Sequence, residues 1–151
     1  MPRPAKPPQR GLGSRTLIVD NGSHTIKAGF ATPKTDTKDC HIIPNCIARS
    51  SEGGRGGNKT YVADQLEQCK DTGEMTFRRP MDKGFIVNWE AEMDIWKQCF
   101  FKDGARLHCD PRDTNLILTE TPNCPLALQT NTDQMIFEEY DFASAYRCQG
   151  S

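Results

Sequence analysis

Leu17-Ile18-Val19-Asp20-Asn21-Gly22-Ser23-His24-Thr25-Ile26-Lys27-Ala28-Gly29-Phe30-Ala31 is the stretch from which the fold can be read. Thr16 to Val19 is a β-favouring apolar run that stops at Asp20-Asn21-Gly22-Ser23, and Thr25 to Phe30 resumes the apolar character. An Asn-Gly dipeptide between two such runs is a strong hairpin signal, because both residues tolerate positive φ. The turn also assembles a particular chemistry. Gly22 lets backbone N–H groups approach an anion, and the Ser23 hydroxyl and Lys27 ammonium can donate to its oxygens. Asp20 can hold a hydrated magnesium ion. A plain Asn-Gly hairpin meets the same pattern, so the local residues leave both readings open.

Working outward, Ala31 to Asp39 reads as a loop and Cys40-His41-Ile42-Ile43 as a short third strand ended by Pro44. Ser50 to Lys59 lacks apolar side chains and contains four glycines, which predicts a flexible surface loop. Tyr61-Val62-Ala63 reads as a brief strand, Asp64 to Lys70 as a short helix closed by Asp71-Thr72-Gly73, and Met75 to Arg79 as an extended piece stopped by Pro80. A helix should follow Asn88, a good N-cap, with Trp89, Met93, Trp96 and Phe100 on one apolar face. Glu90, Glu92 and Asp94 lie early in that helix and Lys97 and Lys102 late, as the helix dipole prefers, and Gly104 is a plausible stop. Asn115 to Thr119 reads as a buried strand, and Pro122 and Pro125 as a loop. A helix over about 132–140 should turn Met135, Ile136 and Tyr140 inward, and Ser144 to Cys148 begins another strand.

The 151 residues carry a net charge of -1 and 36% hydrophobic residues, enough for one ordinary domain with a thin core. No run reaches the roughly 18 apolar residues of a transmembrane helix, and the first fifteen residues hold no hydrophobic signal region. A cytosolic or nuclear protein with no membrane partner is expected. Seven cysteines without any CxxC pair read as reduced thiols rather than zinc ligands. Residues 1–15 form a proline-rich arm carrying Arg3, Lys6, Arg10 and Arg15, expected to be disordered. That arm is either a solvated tail or a contact for nucleic acid or import. His41 and His108 have no evident partners in the sequence.

The opening stretch resembles the first phosphate loop of actin almost residue for residue, and three further blocks follow in the order actin uses. They are Tyr61-Val62-Ala63-Asp64; Pro80 with Gly84 to Trp89 and Ile95-Trp96; and Leu118-Thr119-Glu120-Thr121-Pro122 with Met135 to Glu138. The chain is therefore identified as a member of the actin superfamily over about 16–149. Ile43-Pro44-Asn45-Cys46, Arg49-Ser50, Ala63-Asp64-Gln65, Lys70-Asp71 and Phe137 to Tyr140 look more like a nuclear actin-related protein than conventional actin.

The resemblance implies an α/β, actin-like (ribonuclease H-like) ATPase fold that is incomplete here, a first lobe with a small second subdomain. Residues 16–43 and 85–151 would form part of actin subdomain 1, and 44–84 subdomain 2 with the Gly-rich loop. It implies ATP and magnesium in a full-length parent, with Asp20 facing the metal through water, and Asn21, Gly22, Ser23 and Lys27 in the phosphate loop. For this fragment, which stops before a second phosphate loop and the adenosine-binding segments, no cofactor is expected and no catalytic residue is named. It also implies a non-catalytic subunit of a Swr-type chromatin-remodelling complex that exchanges a variant histone into nucleosomes. The partners would be the other subunits and histones or the nucleosome, in the nucleus and also the cytoplasm. A truncated ATP-binding cytoskeletal actin and a distant sugar kinase or chaperone ATPase are the alternatives, the latter disfavoured by the blocks around Trp89 and Glu120. Three departures stand out. His24 occupies a glycine position, where an imidazole would crowd the phosphates or demand a different backbone. Gly150, not Gln149, stands where actin keeps its water-positioning glutamine. The Gly-rich loop is shorter and less apolar than the loop by which one actin subunit grips the next, so no filament is expected.

Overall fold

The computed structural model describes residues 12–33, 39–50, 59–69 and 75–150. Expectations for the Gly-rich loop, the Asp71 to Gly73 turn and most of the basic arm lie outside those residues. In chain order the strands are β1 (Arg15–Asn21), β2 (Thr25–Phe30), β3 (His41–Pro44), β4 (Ile47–Ser50), β5 (Lys59–Val62), β6 (Met75–Arg78), β7 (Met81–Asp82), β8 (Phe85–Ile86), β9 (Thr114–Glu120) and β10 (Ser144–Gln149). The α-helices are α1 (Trp89–Trp96) and α2 (Leu126–Gln134), and Ala63–Gln68 forms a 3-10 helix.

A mixed five-stranded sheet in the order β10-β9-β1-β2-β3 carries the structure. β1, β9 and β10 run parallel, and β2 and β3 are antiparallel additions at one edge. Side chains alternate across a strand, so Leu17 and Val19 in β1, Ile26 and Ala28 in β2, and Leu116 and Leu118 in β9 face one buried side. Ile95, Trp96, Phe100, Ile136 and Phe142 complete that core. A three-stranded sheet, β5-β4-β6, is built from residues 47–78, and β7 pairs with β8. This is a mixed α/β fold. No helix among the described residues is long and apolar enough to cross a membrane.

Several elements differ from their sequence reading for physical reasons. The arm boundary at residue 15 is a correction, because residues 13–15 are tied to the sheet. Gly13 N–H donates to Asn115 Oδ1 at 2.9 Å, Asn115 Nδ2 donates back to the Gly13 carbonyl at 2.9 Å, and Ser14 bonds Asp113. The Asn-Gly turn is also different. Asp20 and Asn21 are strand residues paired with Lys27 and Ile26, and neither Asn21 nor Gly22 has positive φ. The primed two-residue turn occurs instead at Lys83-Gly84, with φ of 50° and 85°, where it joins β7 to β8. Strand β4 and this hairpin have no counterpart in the sequence reading, because runs of two to four residues carry little periodicity.

Both long helices shift as well. Asn88 caps α1 as expected, accepting from Ala91 N–H at 3.1 Å. The face it buries is Glu92, Ile95 and Trp96, continued by Cys99 and Phe100, while Trp89 and Met93 sit at its edge. The last turn widens, with Lys102 N–H reaching back to the Lys97 carbonyl at 2.9 Å. The second helix starts at Leu126, well before residue 132. Pro125 belongs to its start, where a missing N–H costs nothing, and its carbonyl accepts from Leu128 and Gln129.

Candidate phosphate-loop crevice

In open α/β sheets, ligand sites form beyond the carboxyl ends of parallel strands. Three such ends meet here: Asp20 and Asn21 from β1, Thr119 and Glu120 from β9, and the Gln149-Gly150 step after β10. They border a crevice of about 210 Å³ whose walls include Asp20, Asn21, Gly22 and Ser23, the Thr119 to Pro122 stretch, and Met81, Gly84 and Gly150. The β7–β8 hairpin supplies the side wall, pinned by the Thr121 hydroxyl, which donates to the Gly84 carbonyl at 2.6 Å.

Asp20 is ionised and committed on both oxygens. The Thr119 hydroxyl donates to Oδ1 at 2.6 Å and Lys27 Nζ donates to Oδ2 at 3.0 Å. Those bonds, that from Thr119 foremost, hold its carboxyl below the ordinary aspartate range against the opposing effect of burial. Removing the hydroxyl should therefore raise the acid of Asp20 back toward normal. A depressed folded pKa contributes stability that is present above the unfolded pKa and lost as pH falls through the folded one. Thr119→Val should consequently be less stable than wild type near neutral pH by a gap that narrows as pH falls through the carboxylate range, and the Asp20 carboxyl carbon should titrate at higher pH by NMR. A stability gap that stays constant across that range would refute this.

The other sequence-selected residues divide. Asn21, Gly22 and Ser23 line the crevice, whereas Lys27 does not and lies on the Asp20 carboxylate. The amide of Asn21 is spent internally: Nδ2 donates to Glu92 Oε1 at 2.7 Å, and Oδ1 accepts from Trp96 Nε1 at 3.4 Å. At Gly22 a Cβ would stand 2.7 Å from the Thr25 carbonyl oxygen, so only glycine fits the close approach. Ser23 Oγ makes no hydrogen bond to another described residue and is the donor facing open space. His24 adopts ordinary negative φ, is exposed and stands outside the crevice walls, so its side chain neither strains the loop nor fills the site. Gln149 is exposed and stands off the crevice, while Gly150 borders it.

Sequence reasoning missed the residues that shape the loop from below. Asn45 is fully buried; its N–H donates to the His24 carbonyl at 2.9 Å and its Nδ2 to the Gly22 carbonyl at 3.0 Å. Arg79 reaches the same His24 carbonyl at 3.5 Å. Glu92, fully buried, accepts from Asn21 and from Trp96 Nε1 at 2.9 Å. The Ser23 hydroxyl beside an ionised Asp20 is a combination that fits the phosphate end of a nucleotide with a hydrated cation, while the Gly22 N–H is already spent on the Asp20 carbonyl at 3.2 Å. Among the described residues there is no cluster of three or more His, Cys, Asp or Glu that could hold a metal directly, and none of the seven cysteines is in a disulfide.

The family model described as Actin matches residues 11–151. Actin-related protein 6 of Neurospora crassa is 54% identical over 132 residues, covering 87% of this chain and 28% of that protein. Actin-like protein arp6 of Aspergillus fumigatus is 40% identical, covering 95% of this chain and 32% of its own length. Actin-related protein 6 of Drosophila melanogaster is 28% identical over 136 residues, 90% of this chain and 32% of that protein. The chain spans about a third of the length of the curated relatives it matches.

Proposed function

Because this chain belongs to the actin family, we propose that it acts as an actin-related structural subunit, non-catalytic, of a Swr-type chromatin-remodelling complex that exchanges a variant histone into nucleosomes. Its working place is the nucleus, with a cytoplasmic pool, and its partners are the other remodeller subunits and histones or the nucleosome. Supporting this reading is the similarity, up to 54% identity, to proteins named actin-related protein 6. The state of the loop is the observation that carries the non-catalytic half. Asp20 is held by Thr119 and Lys27, and Asn21 by Glu92 and Trp96, so the loop is braced as a structural part.

A second reading, an actin-type ATPase, draws on the ionised Asp20 beside the unengaged Ser23 hydroxyl. Under it, hydrated magnesium would displace Lys27 from Asp20. ATP and magnesium would then be held by Asp20, Gly22, Ser23 and a freed Lys27 in the full-length protein.

One experiment separates the two. Full-length tagged protein purified from nuclei should bring down remodeller subunits in stoichiometric amount, and Asp20→Ala should retain that assembly and its histone-exchange rate. An intact complex whose exchange collapses with Asp20→Ala would favour the ATPase, and recovery of cytoskeletal partners alone would sink the scaffold.

A further inference from the structure

A groove of about 190 Å³ runs between one face of the three-stranded sheet and α1. Strand alternation puts Ile47 and Arg49 of β4 on that face, and the pairing registers complete it. One row across the strands is Val62-Ile47-Arg78, and the next is Thr60-Arg49-Thr76. Asp94 of α1 stands in the opposite wall. The first row is already engaged: Ile47 is buried, Val62 half-buried, and Arg78 Nη2 donates to Asn88 Oδ1 at 3.1 Å and pairs with Glu90 at 3.5 Å. The second row is not. Arg49, Thr60 and Thr76 are exposed, and none of the three side chains has a hydrogen-bond or ion-pair partner among the described residues.

We propose that this groove binds an extended peptide of a partner protein in which an acidic side chain lies two residues from an apolar one. The carboxylate pairs with Arg49, and the apolar group rests on Ile47 and Val62. A guanidinium presents a planar fork that matches a carboxylate with two parallel N–H bonds, and the flanking threonine hydroxyls can donate to the same anion. The spacing agrees with the pattern. Arg49 lies two residues along β4 from Ile47, about 7 Å in a strand, which is also the separation of side chains at i and i+2 on one face of an extended peptide.

Other occupants fit less well. The volume is below the roughly 300 Å³ at which pockets for small molecules begin, so it takes a side chain or two rather than a cofactor. A nucleic-acid backbone carries a phosphate at every step, and here it would meet Asp94 in the α1 wall and Glu90 beside Arg78. It would also leave the apolar floor unused. A single carboxylate set on the Arg49 row avoids both acids. The groove shares no residue with the phosphate-loop crevice, so the inference depends neither on a nucleotide nor on which assembly the protein joins.

The test uses full-length protein and two capped, fluorophore-labelled peptides, one with a glutamate two residues before a leucine and one with the order reversed, since either chain direction fits the groove. Fluorescence anisotropy should show saturable, sub-millimolar binding of at least one of them. Arg49→Glu should weaken that binding about tenfold or more. A peptide with lysine in place of the glutamate should restore it to the variant, which a misfolded protein could not do. Changing the leucine to serine should weaken binding to wild type. Failure of both peptides to bind, or binding indifferent to Arg49→Glu or to the leucine, would overturn the proposal. So would tighter capture of a labelled oligonucleotide than of either peptide. Self-association of the protein that Arg49→Glu abolishes would give the groove to a second copy and overturn it as well.

Discussion

Trp96→Ala is expected to lower the unfolding free energy by about 3–5 kcal/mol, the range for deleting a large buried aromatic. The indole is fully buried, meets Phe100 edge-on at 5.4 Å and stacks on Tyr140 at 6.2 Å. Its loss opens a cavity where α1 meets the rest of the core, and a close-packed interior collapses only partly around such a void. It also removes the Nε1 donor from Glu92, at 2.9 Å, and from Asn21, at 3.4 Å. Trp96→Phe separates the two contributions, since it keeps most of the ring volume and deletes the N–H. It should cost less than alanine, and the part it costs should appear as faster amide exchange at the loop. Chemical unfolding of both variants checks the order, and a phenylalanine variant as unstable as alanine would contradict it.

Asn45→Leu should be the second most damaging change, through polar groups left alone rather than through volume. The side chains are close in size, so little cavity forms. What is lost is the donor to the part-buried Gly22 carbonyl, whose isolation costs about 1–3 kcal/mol, together with a side-chain donor beside the Glu92 carboxyl. The backbone bond from Asn45 to His24 survives, because it belongs to the main chain. The expected pattern is a large drop in stability together with protection lost at Gly22 and retained better at Asn45. Denaturant unfolding combined with residue-resolved hydrogen exchange reads both. A variant as stable as wild type would mean that the loop does not hang from Asn45.

Much of the site's outline was legible because it is local. The strand, turn and strand around Asp20 follow from two apolar runs flanking small polar residues, and the start of α1 follows from Asn88 three residues before the amide it caps. The same local reasoning erred where an equally good local pattern was overruled. Asn21-Gly22 carries the strongest turn signal, yet Asn21 remains in its strand because Glu92 and Trp96 hold its amide. Glu92 read as an acid placed for the helix dipole, and it is fully buried. Thr119 could not be paired with Asp20 from sequence, since the contact is set by the parallel register of β1 and β9 across a separation of 99 residues.

By itself the sequence determined the family, the strand-turn-strand that carries the loop, the capped helix behind it and the residue types available to an anion. Those depend on short-range periodicity, capping and turn chemistry, which neighbours along the chain settle among themselves. Only the tertiary structure decided which of these residues face the crevice and which are consumed in bracing it. Hydrogen-bond satisfaction in a buried space depends on what distant elements bring there, and here β1, Asn45 and α1 meet around one carboxyl group.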